Sequence, residues 1–262
     1  MPRLVVKRLT CIRGFRPVFD DINFELQSGA ALALTGPNGS GKSSLLRLIA
    51  GLLHASAGEV RLEGAALDRS IGEQAHYLGH LDAFKPALTV DENLTFWSRY
   101  LGAVAPRKSA PATMAALDSV GLEGLGSLPA AYLSAGQRRR LSLARLITVP
   151  RPLWLLDEPT SALDASGQER LTALMREHLA GGGLIVVATH GPLGIECTEL
   201  QLGQPAPSPH SPSKTGVNAL SSGEGWAGGS ESARTGGTPT PSPSPQGGGE
   251  RLSVRGDRGA QA

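Results

Sequence analysis

At 262 residues, with 25 Lys and Arg against 23 Asp and Glu, the chain is long enough for one large α/β domain or for a medium domain with an appendage. Its formal net charge of +2 argues against a nucleic-acid partner, which calls for a clustered basic face; only Arg138-Arg139-Arg140 forms a tight basic run, where a solvated or phosphate-facing role suffices. Two cysteines, Cys11 and Cys197, have neither metal-ligand spacing nor partners for a disulfide framework, which points to a reducing, cytoplasmic setting; no secretory signal and no apolar run near the roughly 18–20 residues of a bilayer span is present, so any membrane role is expected through a partner.

Residues 4–9 (LVVKRL) and 22–26 (INFEL) have strand character, the second alternating apolar and polar positions. Residues 30–35 (AALALT) read as a short buried strand and residues 45–50 (LLRLIA) as a helix. Between them lies GPNGSGKS, residues 36–43, which fits the phosphate-binding loop G-x-x-x-x-G-K-[ST] without a mismatch. Its glycines let successive N–H groups turn inward toward phosphate oxygens, and the following helix adds the positive end of its dipole. The expected nucleotide contacts are therefore Gly36, Pro37, Asn38, Gly39, Ser40, Gly41, Lys42, Ser43 and the adjoining Ser44. Lys42 would sit on the β- and γ-phosphates of the nucleotide, and the Ser43 hydroxyl would ligate Mg²⁺.

Residues 59–64 read as an edge strand and turn, and residues 75–79 as a further short strand. Thr89 followed by Glu92 has capping-box spacing and opens a helical stretch that runs to about residue 150, broken near residues 102–106 and 121–129. Its aromatic residues Phe96, Trp97 and Tyr100 are expected in a core rather than on a contact surface. Residues 133–137 (LSAGQ) then open another helix, with Ser134 and Gln137 again at capping-box spacing. Ser134, Ala135 and Gly136 would thus form the exposed start of a helix, a second phosphate-binding end.

Residues 153–157 (LWLLD) read as a buried strand that delivers Asp157 and Glu158 beside the phosphate loop. An aspartate there can hold Mg²⁺, a small hard cation that prefers oxygen, while Glu158 can orient or deprotonate an attacking water. Asp164 caps the next helix, which runs to about residue 180, and residues 184–188 form another buried strand ending at Thr189-His190. At the carboxyl end of such a strand His190 is placed to touch nucleotide. From 205 to 262, 30 of 58 residues are Gly, Pro or Ser without periodicity, which predicts a disordered, dispensable tail.

The ordered set GPNGSGKS, LSAGQ, LLDEP, SALD and TH resembles the ATP-binding domain of ABC transporters over about residues 3–203. The resemblance implies a P-loop NTPase core of α/β class with an inserted helical subdomain at about residues 85–150 and an antiparallel β edge, the ATP-binding domain filling residues 1–204. It implies ATP and Mg²⁺ as cofactors and a homodimer in which Ser134, Gly136 and Gln137 of one copy reach the γ-phosphate held by the other. It also implies Glu158 as catalytic base, Asp157 and Ser43 as metal ligands, Asp164 in communication across the dimer and His190 as γ-phosphate sensor. An aromatic residue near residues 11–17 stacks on adenine in many such ATPases; Phe15 is the only candidate here.

Where most members carry a glutamine that ligates Mg²⁺ and faces the membrane subunit, this chain has His80, a poorer ligand for so hard a cation. The surrounding residues 77–97 are similar to those of one subfamily, the ATP-binding subunits of the cytochrome c biogenesis (Ccm) haem exporters. That likeness implies an ATPase docked on integral-membrane Ccm subunits at the cytoplasmic face of the inner membrane, serving either haem export or release of a haem-carrying chaperone. The alternatives are an ATP-binding subunit exporting another substrate, such as a lipid or drug, and a soluble ATPase acting on ribosomes or DNA. The last usually carries tandem ATP domains or long coiled-coil arms, and this sequence has neither.

Overall fold

A computed structural model describes residues 1–66, 68–102 and 110–203, the side chains of 110–112 excepted. The expected tail and most of the break near residues 102–106 lie outside the described residues. The chain opens with an antiparallel hairpin, β1 (Arg3–Arg13) and β2 (Arg16–Gln27), followed by β3 (Ala31–Thr35), α1 (Lys42–Ile49), β4 (Ala57–Glu63), α2 (Ile71–Gln74) and β5 (Ala75–Leu78). Helices α3 (Val90–Tyr100), α4 (Ala110–Ser119) and α5 (Ala135–Thr148) come next, then β6 (Leu153–Asp157), α6 (Ala165–Ala180), β7 (Leu184–Ala188) and β8 (Thr198–Gln201).

Two sheets form. The first is antiparallel, in the order β2-β1-β4, and the second is wholly parallel, in the order β5-β6-β7-β3-β8. Every residue of β6 and β7 is buried, because helices lie on one face of the parallel sheet and α1 with the antiparallel sheet on the other. Successive side chains therefore enter opposite cores: Ala31, Ala33, Trp154, Leu156, Ile185 and Val187 pack with α3, α4, α5 and α6, whereas Leu32, Leu34, Leu153, Leu155, Leu184 and Val186 pack with α1, β1 and β2. A buried Leu, Ile or Val side chain is worth about 1.5–3 kcal/mol, so these unbroken apolar runs pin the strand order that places the site.

Both capping boxes of the helical stretch form: Thr89 Oγ1 accepts from Glu92 N, and Ser134 Oγ accepts from Gln137 N, each with the reciprocal side-chain bond. Two local expectations are corrected, and the first two strands run on to meet in a hairpin with Gly14 and Phe15 at its tip in the left-handed region. Phe96 and Tyr100 are exposed, not core, forming with half-buried Trp97 an aromatic cluster on one side of α3. Arg139, in the middle of the basic run, is 2 % exposed and faces inward.

Candidate functional site

The strand order brings the carboxyl ends of β3, β7 and β6 side by side, since Leu34 and Asp157 both pair with Ala188. The phosphate loop leaves β3, His190 follows β7, and Asp157 with Glu158 ends β6. Together they wall a cavity of about 370 Å³ lined by Asn38, Gly39, Gly41, Lys42, Ser43, Ser44, Asp157, Glu158 and His190. Gly36, Pro37 and Ser40 shape the loop from behind.

The loop's path requires glycine at two positions. Gly36 has φ 130°, and a Cβ there would meet Leu202 O at 2.3 Å; Gly41 has φ 100°, and a Cβ would lie 2.7 Å from Val18 Cγ1. Because Gly41 is the N-cap of α1, no side chain occupies the first N–H groups of that helix. Those donors, the helix dipole and the Lys42 ammonium converge on the cavity. Lys42 Nζ donates to Gly36 O at 2.7 Å and Pro37 O at 3.2 Å, which folds the ammonium against the loop. A polyphosphate fits the donor-rich loop side of this cavity.

Ser43 Oγ donates to Asp157 Oδ1 at 3.0 Å, so a hydroxyl and a carboxylate stand together at the mouth of the helix. A hydroxyl and one carboxylate suit a small cation that also takes phosphate and water oxygens. No cluster of three or more His, Cys, Asp or Glu that could hold a metal by itself exists among the described residues. Glu158 lies one residue further on, with φ 49°; its N–H donates to Ala188 O and its carbonyl accepts from Arg139 Nη2 at 2.6 Å. The left-handed backbone costs on the order of 1–3 kcal/mol, and these contacts offset it. Glu158 Oε1 stands 3.4 Å from His190 Nε2.

The second phosphate-binding end sits elsewhere. Ser134 and Ala135 are exposed at the start of α5, and neither they nor Gly136 and Gln137 line the cavity of the phosphate loop. Gly136 packs under Ala162 O, which a Cβ would approach to 3.0 Å. Asp164 caps α6 by accepting from Gly167 N at 2.9 Å, and it takes a hydrogen bond from Arg140 at 2.6 Å. The Arg140 hydrogen bond, with the cap, holds the Asp164 carboxyl below its usual range.

Phe15, the candidate adenine platform, is fully exposed and does not line the cavity; Arg13 and Val18 of the same hairpin do. A guanidinium can stack on an aromatic base as a ring does, but no aromatic at 13 or 18 flagged them in the sequence. His80 lines a different cavity, of about 310 Å³, with Tyr77, Leu81, Trp97 and Arg145, and not the one that holds Ser43 and Asp157. Arg139 was also missed: it donates to Gly79 O, Asp157 O, Glu158 O and Pro159 O, and the only sequence signal was its place on the same helix face as Ser142 and Leu143.

Comparison with known proteins agrees with this geometry. The ABC transporter family profile matches residues 19–161. The cytochrome c biogenesis ATP-binding export protein CcmA of Rhodopseudomonas palustris strain BisB5 is 58% identical over 199 residues, covering 76% of this chain and 96% of that protein. The CcmA proteins of Nitrobacter winogradskyi and Rhizobium meliloti are 57% and 51% identical, covering 77% and 74% of this chain and 98% and 93% of theirs. Among solved structures, an ABC transporter ATP-binding subunit is similar with TM-score 0.65 and 27% identity, covering 71% of this chain and 79% of its own. A Pyrococcus furiosus ATP-binding protein, described as a putative ABC transporter, shares the fold at TM-score 0.66 and 24% identity, covering 76% and 97%. With the phosphate loop, the strand-end carboxylates and the serine-capped helix all in place, the chain belongs to the ABC transporter ATP-binding proteins, in the branch of the CcmA cytochrome c biogenesis proteins.

Proposed function

We propose that this chain is the ATP-hydrolysing subunit of an ABC complex for c-type cytochrome biogenesis, coupling ATP turnover to haem export or to release of a haem-carrying chaperone. The observation that carries the assignment is the identity of up to 59% with CcmA proteins along nearly their whole length. The domain filling residues 1–204, with its helical subdomain at about residues 85–150, does the chemistry, and residues 205–262 are dispensable to it.

Loop amides and Lys42 bind the phosphates, while Arg13 and Val18 border the base. Ser43 Oγ and Asp157 would hold Mg²⁺, which neutralises phosphate charge. Glu158 accepts the proton of the attacking water, and His190, 3.4 Å away, steadies that carboxylate and reaches the γ-phosphate. Bond formation from the water oxygen to γ-phosphorus and loss of the bridging bond leave ADP and phosphate.

The second phosphate-binding end finds its use in a head-to-tail homodimer. Ser134, Gly136 and Gln137 of one copy close over the γ-phosphate bound by the other, and Asp164 lies beside that contact. ABC ATP-binding subunits work with membrane partners, and no described helix here is long and apolar enough to cross a bilayer. The complex therefore sits on integral-membrane subunits, at the cytoplasmic face of the inner membrane.

The test is haem staining of mature c-type cytochromes in a strain lacking this gene, rescued with the wild-type chain or with Glu158→Gln. Staining should vanish in the deletion strain and return only with the wild-type chain. The Glu158→Gln protein should bind ATP while turnover falls at least about a hundredfold. Normal staining in the deletion strain removes the cytochrome role and leaves an exporter of another substrate.

A further inference from the structure

Arg139 occupies a position that the phosphate chemistry does not require. Its side chain is 3% exposed, on the inward face of α5, and none of its nitrogens lines the nucleotide cavity. One of its two terminal amino groups, Nη2, donates to Asp157 O at 3.0 Å and Glu158 O at 2.6 Å, and Nε donates to Pro159 O at 3.3 Å. The other, Nη1, donates to Gly79 O at 2.9 Å and stands 3.6 Å from Asp82 Oδ1. Burial lowers its pKa, and Asp82 opposes that.

The two sets of contacts belong to different parts of the molecule. Asp157 to Pro159 are the turn on which Glu158 is mounted in its left-handed conformation. Gly79 and Asp82 flank His80 in the loop after β5. That loop is held from α5 a second time by Ser142 Oγ donating to Asp82 Oδ1 at 2.9 Å, and from α3 by Trp97 Nε1 donating to Ala83 O at 3.1 Å. Exposed Leu81 and the Trp97 ring, with Arg145 4.4 Å above it, line the separate cavity on its outer side. A rigid planar fork with fixed donors cannot follow a shift of one set of carbonyls without disturbing the other.

We propose that Arg139 is the positioning residue for hydrolysis: it holds the Glu158 turn, and through Gly79 and Asp82 it makes that hold depend on how the 79–83 loop is seated. A shift of the loop against α3 is then read at Glu158 as a change in carboxylate position, without His80 touching the metal. A displacement of about 1 Å at a catalytic group costs on the order of a hundredfold in rate. The proposal rests on Glu158 being the base.

Four full-length proteins decide it: wild type, Glu158→Gln, Arg139→Lys and Asp82→Asn, each measured for kcat, KM for ATP and affinity for a fluorescent ATP analogue. Lysine keeps the charge but cannot serve both sets of acceptors. We expect kcat to fall about tenfold or more in Arg139→Lys and about threefold in Asp82→Asn, with analogue affinity and KM within about twofold of wild type. A merely structural role would instead lower kcat and active-site titre together, leaving turnover per binding-competent molecule unchanged. Turnover within twofold of wild type in Arg139→Lys, with Glu158→Gln inactive, overturns the proposal and leaves the base in place. Full turnover in Glu158→Gln overturns the base and the proposal with it. If Arg139→Lys fails to fold, Asp82→Asn, altered at a partly exposed side chain, decides the question by the same kcat criterion.

Discussion

The starts of α1 and α5 are both helix ends suited to phosphate, yet they are built differently. At α1 the N-cap is Gly41, with no side chain on the first amides, and the end opens into a walled cavity beside Lys42, Ser43 and Asp157. At α5 the N-cap is Ser134, whose hydroxyl bonds Gln137 N in a full capping box, and the end lies exposed on the surface. The first has no side-chain cap on its amides and has a cation and walls ready for a ligand. The second is capped by its own serine, has Arg138 bonded to Leu133 O just before the cap, and lies open without walls of its own. In the proposed reading the first is a whole phosphate site and the second is half of one.

The largest effect should come from breaking the complete site. Lys42→Ala removes the one ammonium in the cavity and should lower ATP turnover about a hundredfold, with weakened nucleotide binding, as read by an ATPase assay and analogue titration. If turnover survives, the phosphate reading of the α1 end is wrong. Blocking the half site should cost less and in a different quantity. Ser134→Arg should reduce turnover about tenfold by obstructing closure, while a single copy binds ATP within about twofold of wild type. Equal loss of binding in both variants would erase the distinction between the two ends.

A smaller effect tests the scaffold beneath both ends. His76 on β5 is buried, bonds Val149 O at 2.7 Å and has its pKa pushed down to about 3, chiefly by burial and against the pull of that bond. Arg151, Arg145 and His178 add to the depression. A depressed pKa contributes stability that is fully present above the unfolded value near 6.5 and is lost as pH falls toward about 3. Denaturation midpoints should therefore decline over that window, and His76→Gln should flatten the decline. The smallest effect is expected at the far end: a chain ending at Gly203 should keep ATPase activity within about twofold, since Leu202 and Gly203 already complete the packing behind Gly36 and Ser40.

Much of the phosphate site was readable from residue order, because backbone-directed chemistry carries its own spacing. Gly36, Gly41, Lys42 and Ser43 act through a local turn and a helix start, and Ser134 with Gln137, or Thr89 with Glu92, act within one helical turn. The hairpin was not readable in the same way. Phe15 looked like the aromatic platform, but the tip of the β1–β2 hairpin turns it to solvent and leaves Arg13 and Val18 at the cavity. Likewise the short β8 has one apolar residue of four and gains its place only by pairing with β3.

The sequence by itself determined the nucleotide loop, the two capped helix ends and the buried runs of β3, β6 and β7, since each depends on interactions within a few residues or on one-dimensional apolar periodicity. Only the tertiary structure decided that Arg139 points inward while Arg138 and Arg140 serve other partners, that Asp164 is tied to Arg140, and that His80 lines a cavity apart from Ser43 and Asp157. Those assignments depend on which strand ends become neighbours. That order is set by the summed burial of both sheet faces, a property of the whole core that no short stretch of residues contains.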